Sequence, residues 1–282
     1  MLRRARDLAR RARTSSAARD EFALPLQVGV HDFFFEALHW ARLLRQSGAR
    51  FRVEDAEVHV EIGSLHVIAQ TSEDLLILHE VFGRRVYDFA LPAPAVVWDI
   101  GGNVGFAALA CARRADVIAV HSFEPFPDTA AQMRRNVALN PAVAPKIVLE
   151  EYAIGREPAT VTATYSYAWK GHATLHGAPT LVAADARPCD VRVIAASDAF
   201  DRIRRAHQGA PLVAKIDCEG AEGEILDALA DTSRLQALSA VMIEWHRGGP
   251  DSLRKQLMSH GFSTFVVAED GSGGGMVYGH RA

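Results

Sequence analysis

The run Val96-Val97-Trp98-Asp99-Ile100-Gly101-Gly102-Asn103-Val104-Gly105-Phe106 constrains the fold of this chain more than any other stretch. An apolar segment ends in an acid, bends through glycines and opens onto a helical pattern over Val104–Arg113. Glycine permits a tight bend and a close backbone approach to a ligand. Free N–H groups at the start of a helix favour an anionic group. A phosphate-cradling P-loop is excluded, because no Lys stands in the GxxxxGK[ST] register. A dinucleotide fingerprint fails too: with Gly101 as the first glycine of GxGxxG, the other two positions hold Asn103 and Phe106.

What remains is DxGxxxG, with Asp99 as the acid at the strand end. This pattern suits S-adenosylmethionine (SAM), which has no pyrophosphate and carries a cationic amine and sulfonium that Asp99 can help neutralise. The next apolar run, Val117–Phe123, ends in Glu124-Pro125, with Glu124 23 residues after Gly101. A carboxylate at the end of a second strand can accept both hydroxyls of a ribose. Nicotinamide enzymes share that device, so Glu124 points to a nucleoside rather than to SAM alone. In an open α/β sheet the ligand lies beyond the carboxyl ends of the strands. Tyr152 and Ala153, at the end of the third run, are therefore expected beside an adenine.

Two further strand ends carry acids. Lys215-Ile216-Asp217-Cys218-Glu219-Gly220-Ala221-Glu222 follows the apolar run Leu212–Ile216, and Ile243-Glu244-Trp245-His246 ends the run that starts at Ala240. Ionisable groups that converge where a ligand should sit make a functional-site pattern. His246 is the candidate base for a hydroxyl acceptor, since imidazole titrates near neutral pH. Alternatively Asp217, Glu219, Glu244 and His246 hold a divalent cation such as Mg²⁺ or Mn²⁺ that acidifies the hydroxyl. Their spacing is no recognised metal signature, and no metal site is assigned. The loop Ser166–Pro188, with Trp169, Lys170, His172 and His176, reads as a lid or acceptor-binding element, and His172 is a second candidate base.

From residue 95 onward apolar runs alternate with helical patterns: Asp128–Leu139 after the second run, a third strand over Lys146–Ile154, two more over Val161–Tyr165 and Val191–Ala195, then Glu222–Leu229, Ser252–His260, and a closing hairpin of Thr264–Val267 with Met276–Tyr278. Alternation of this kind builds a mostly parallel sheet covered on both faces. Upstream, residues 1–50 read as helical, with Leu38, Ala41 and Leu44 on one face. Residues 51–70 alternate as a hairpin or meander broken at Gly63-Ser64, and Thr71-Ser72-Glu73-Asp74 caps a helix that runs to about Phe82 and is closed by Gly83. The expected organisation is an N-terminal helical and β-hairpin extension over 1–90 and a ligand-binding domain over 91–282.

The 282 residues are 49% hydrophobic and 23% charged, with a net charge of −3, so no global charge favours nucleic acid as a partner. The three cysteines form no CxxC, which suits a reducing, cytoplasmic setting. Seven arginines fall in the first 20 residues, without the apolar run of a signal peptide, and no stretch is apolar enough for a membrane span.

The chain resembles the FkbM family of SAM-dependent methyltransferases. The matching pieces are Val97–Gly105, Phe123-Glu124-Pro125, Tyr152-Ala153-Ile154-Gly155, Ser197-Asp198, Lys215–Glu222 and Ile243-Glu244, with Tyr87-Asp88 in the lead-in; the likeness covers about residues 55–280. It implies a class I, Rossmann-like methyltransferase fold: a seven-stranded, mostly parallel sheet whose last strand is antiparallel. It also implies SAM as donor and O-methylation of a small molecule such as a sugar or a natural-product hydroxyl, with a carboxylate as the alternative acceptor. The residues expected to hold SAM are Asp99, Gly101, Gly102, Asn103, Gly105, Glu124, Pro125, Tyr152, Ala153 and Asp217, and those expected at the reaction centre are His246, Asp217 and Glu219. A homodimer is a possible assembly. Trp98 departs from the family pattern, which has a small aliphatic residue there.

Overall fold

The structure is a computed structural model that describes residues 31–55, 57–91, 93–173, 185–246, 248–268 and 274–281. The arginine-rich head and residues 174–184 of the loop Ser166–Pro188, His176 among them, lie outside the described residues. The chain divides into two units, Met1–Val86 and Tyr87–Ala282.

In the first unit, helix α1 (His31–Gln46) buries Ala37, Ala41 and Leu44 along one stripe. Strands β1 (Arg50–Glu54), β2 (Glu57–Ile62) and β3 (Leu65–Ala69) form an antiparallel meander, turning at Gly63-Ser64 as the sequence suggests. Val58, Val60 and Ile62 alternate inward. Thr71 caps α2 (Ser72–Leu78) through a full capping box with Asp74. The expected end of this helix is corrected. The winding continues as a π-helix over His79–Arg84, and Arg85, in left-handed conformation, closes it. Gly83 lies inside the π-turn, where a Cβ would meet the His79 ring at 2.4 Å.

The second unit opens with β4 (Ala95–Ile100), α3 (Phe106–Ala112), β5 (Val117–Phe123), α4 (Pro127–Ala138) and β6 (Ile147–Glu150). Next come β7 (Ala153–Gly155), β8 (Ala159–Tyr165), β9 (Arg187–Ala195) and α5 (Ala196–Ala206). The unit ends with β10 (Leu212–Ile216), α6 (Glu222–Asp231), β11 (Ala240–Trp245), α7 (Asp251–Ser259), β12 (Ser263–Ala268) and β13 (Gly275–His280). The main sheet has seven strands in the order β12-β13-β11-β10-β4-β5-β6. Its ladders are parallel except those of β13, which runs antiparallel between β11 and β12.

Alternation along β4 sets the two faces. Val96, Trp98 and Ile100 join a core with α5, α6 and α7, while Val97 joins one with α3 and α4. Trp98 fills its core edge-on to Phe123 and Phe200, with ring centroids 6.5 and 6.4 Å away. Phe200 belongs to α5, a helix the sequence reading did not anticipate; this helix gives the indole its partner.

Three expected strands are corrected. Lys146–Ile154 is not one strand: β6 stays in the main sheet, and after Glu151-Tyr152 the chain enters a separate three-stranded sheet of order β7-β9-β8. Lys146 sits in a 3₁₀ turn, where its ammonium donates to the carbonyls of Arg114 and Val117. β8 and β9 are longer than their apolar centres, because they pair antiparallel from Ala159↔Val193 to Tyr165↔Arg187.

Candidate active site

The carboxyl ends of β4, β5 and β10 open on one cleft, the position at which parallel sheets bind ligands. After β4 the backbone turns through Gly101 (φ 81°), Asn103 (φ 47°) and Gly105 (φ 87°) before α3 begins. The helix therefore starts two residues later than the sequence suggests. Gly101 admits no side chain: a Cβ would lie 1.7 Å from the carbonyl oxygen of Asp217, on the turn after β10. The N–H groups of Gly101 and Gly102 donate to the Phe123 carbonyl at 3.0 and 2.9 Å, which ties this turn to the end of β5.

Glu124 is buried, and both its oxygens accept backbone hydrogen bonds, Oε2 from Asn103 N and Oε1 from Phe126 N, each at 2.9 Å. Burial pushes its carboxyl up to about 7 against the pull of those two N–H groups. Each oxygen keeps a second lone pair for a ligand hydroxyl.

Beneath the turn lies an ionic hub. Asp99 is fully buried; Ser122 Oγ donates to its Oδ2 at 2.6 Å, and Lys215 Nζ stands 3.2 Å from its Oδ1. The same ammonium is 3.3 Å from Asp217 Oδ2, donates to the carbonyl of Gly101 and lies 5.3 Å over the Tyr87 ring. Burial works to lower the Lys215 pKa, but Asp217 and Asp99 together raise it, so it stays charged. The Tyr87 hydroxyl donates between Asp217 Oδ2 at 2.9 Å and Glu244 Oε2 at 3.2 Å.

At the ends of β10 and β11 four carboxylates surround His246. Its Nδ1 is 3.3 Å from Glu222 Oε1; its Nε2 is 3.3 Å from Glu219, 3.7 Å from Glu244 and 3.8 Å from Asp217. Burial alone would lower the imidazole pKa, but Glu222, Asp217, Glu219 and Glu244 overcome it and raise it to about 10. Burial and the neighbouring acids raise Glu219 to about 8, against the pull of His246. Asp217 is held low by Lys215, His246 and the Tyr87 hydroxyl, in spite of its burial. The imidazole is thus a holder of a proton at neutral pH and not the free acceptor expected from the sequence. Asp217, Glu219 and His246 each offer a donor atom, all within 4.8 Å of one another. An imidazole ligates a cation only through an unprotonated nitrogen, so a cation bound here would have to displace the proton on Nε2.

Of the residues expected from sequence, Gly101, Asn103, Glu124, Pro125, Ala153, Asp217 and Glu219 line the cleft. Asp99, Gly102 and Gly105 lie beneath it, and His246 stands behind Glu219. Tyr152 packs against the α5–α7 core, with the Arg192 guanidinium 4.7 Å over its ring. The sequence reading gave no role to Lys215, Tyr87 or Glu222. Lys215 was within reach, since it sits two residues before Asp217 on the same strand. Tyr87 is 130 residues from Asp217, and no local pattern links them.

The sheet order, with an antiparallel seventh strand beside a cleft built on DxGxxxG and a second strand-end acid, defines a class I, Rossmann-like methyltransferase. Residues 99–264 match the FkbM methyltransferase domain, and the chain belongs to that family. Its curated relatives include the hexuronic acid methyltransferase AglP of Haloferax volcanii, 27% identical over 182 residues, or 61% of this chain and 65% of AglP. The AMB antimetabolite synthetase AmbE of Pseudomonas aeruginosa is 31% identical over 137 residues, 46% of this chain and 6% of AmbE. The chain thus spans under two thirds of either relative. Among solved structures, the FkbM methyltransferase from Methylobacillus flagellatus superposes with a TM-score of 0.45 at 14% identity, covering 67% of this chain and 44% of that one. Sp1610 of Streptococcus pneumoniae, a putative tRNA methyltransferase solved with SAM, gives 0.41 at 13% identity and 67% coverage of each chain. Among the described residues no helix is long and apolar enough to cross a membrane.

Proposed function

We propose that the chain is a SAM-dependent O-methyltransferase acting on a hydroxyl of a small molecule, a sugar or a natural-product intermediate. One observation carries this reading: a single cleft presents Glu124, with spare lone pairs, together with Asp217 and Glu219, with His246 behind them. Glu124 would accept the ribose hydroxyls, Ala153 and Ile154 would flank the base, and Asp217 and Glu219 would face the cationic groups. Asp99 acts at one remove, by holding the ammonium that fixes the Gly101 carbonyl. When bound, SAM supplies an electrophilic methyl group. Glu219 lines the cleft and receives the hydroxyl proton, and the His246 Nε2–H beside it keeps that carboxylate oriented. Orientation of the acceptor oxygen provides much of the acceleration.

A second reading, methylation of a carboxylate, is favoured by the buried Lys170 ammonium on the same cleft, which would attract an anionic acceptor. It needs no base. The hexuronic acid in the name of the Haloferax relative offers both kinds of oxygen.

Calorimetry with SAM tests the donor, and millimolar SAM without a binding heat would end the proposal. A labelled-donor screen of sugars and uronic acids tests the acceptor. Label released from the product by mild alkali marks a methyl ester; label that survives marks an ether.

A further inference from the structure

Glu222 is the first residue of α6, and its side chain folds back over the turn that precedes the helix. One oxygen, Oε1, gathers every contact. Gly220 N donates to it at 3.1 Å and Cys218 N at 3.3 Å, the Cys218 thiol approaches at 3.8 Å, and His246 Nδ1 stands 3.3 Å away. Backbone N–H groups can only donate, so Oε1 is fixed as an acceptor. The ring nitrogen that faces it, 3.3 Å away, is paired with it as a charge and not through a formed hydrogen bond, and the carboxylate favours the ring form that carries a hydrogen there. The imidazole has two nitrogens, and the hydrogen bond made by one decides what the other presents. With Nδ1 ion-paired to Glu222, the Nε2 edge is turned toward Glu219, Glu244 and Asp217.

We propose that Glu222 is a positioning residue: anchored by the backbone of the β10–α6 turn, it holds the His246 ring in the orientation that presents Nε2, and any proton exchanged there, to Glu219 at the cleft. This rests on the reading of the cleft as the methyl-transfer site, but the geometry it asserts does not depend on turnover. The turn it braces is itself unusual, with Glu219 at φ 58° and Gly220 at φ 118°. A carboxylate that accepts from Cys218 N and Gly220 N, on either side of Glu219, and faces His246 at the end of β11 aligns both strand ends at once. Four charged or titratable groups face His246 from three elements: Asp217 and Glu219 from the β10–α6 turn, Glu222 from α6 and Glu244 from β11. Of these only Glu222 meets Nδ1.

The test is imidazole nitrogen NMR on protein labelled at its 12 histidines, with His246 assigned by its loss in H246N. The expected wild-type signature is a protonated Nδ1 throughout the titration, with exchange confined to Nε2. In Glu222→Gln the Nδ1–H signature is lost and the ring titrates at lower pH, while S-adenosylhomocysteine binds within about threefold of wild type, since a lost orienting contact leaves donor binding largely intact. A wild-type His246 that carries its neutral proton on Nε2, or an E222Q spectrum identical to wild type, overturns the proposal. Should E222Q not fold, Glu222→Asp, which keeps the charge but withdraws it from the ring, takes its place with the same expectation. Failure of the protein to bind SAM would overturn the proposed function and leave the tautomer result standing.

Discussion

Lys215 Nζ lies 3.2 Å from Asp99 Oδ1, and both side chains are almost wholly buried. The ammonium is shared with Asp217 and with the Gly101 carbonyl, so a single cation neutralises two acids and fixes the turn above them. Removing it strands two carboxylates. Breaking a buried pair by deleting one partner costs about 3–5 kcal/mol. K215M is expected to lose stability in that range in urea unfolding, and to lose SAM affinity in calorimetry. A loss under about 1 kcal/mol would show that the hub holds nothing in place.

Gly101→Ala drives a Cβ to 1.7 Å from the Asp217 carbonyl, in a left-handed conformation that L side chains avoid. A cost of roughly 3 kcal/mol or more is expected, since both overpacking and strain act. Gly223→Ala is the control: nothing lies within 4 Å of its added Cβ in α6, and a gain of roughly 0.5–1 kcal/mol is expected from helix propensity. Equal melting shifts for the two variants would contradict the close approach.

Tyr87→Phe removes the hydroxyl that serves Asp217 and Glu244 and leaves the ring in place. Hydrogen bonds to charged groups contribute about 1.5–3 kcal/mol, and a loss in that range is expected. Both acids should then titrate at higher pH, because the hydroxyl lowers them. Carboxyl carbon NMR reads this directly.

Turnover should depend on pH in a direction set by the cluster. Glu219, at about 8, must lose its proton to accept another, and His246, at about 10, must keep its own to orient it. With an acceptor in hand, kcat/KM is expected to rise as pH passes about 8 and to fall above about 10, since it reports the groups of the free enzyme. A bell centred below about 7 would return the base to a neutral His246 and remove Glu219 from that role.

Much of this site was legible in the sequence because it is written in short local runs. Asp99 through Gly105, Glu124, and Asp217 with Glu219 all stand at strand ends, and strand ends are what hydrophobic periodicity marks. The alternation of apolar runs with helical patterns likewise foretold a mostly parallel sheet, and the family resemblance its seven strands. The roles were harder to read, because charge state is a property of neighbours. His246 looks like a base in isolation and becomes a held cation only when Glu219, Glu222, Glu244 and Asp217 are brought around it. Tyr87 could not be found, since its partners come from β10 and β11. The split between β6 and β7 was hidden because Tyr152 is as compatible with a strand as with the step between two sheets, and only pairing decides.

Among the described residues, the β7-β9-β8 sheet shares no ladder with the main one. β8 and β9 pair with each other, and β9 with β7, so the linker that carries Lys170 is fastened to a small platform of its own. Such a platform is a natural seam for exchange: the hairpin of another family member could be transplanted between Gly155 and Ala196 without rewriting the strands that carry Asp99, Glu124 or Asp217. Chimaeras cut at those two points offer the shortest route to altered acceptor choice on an unaltered donor half.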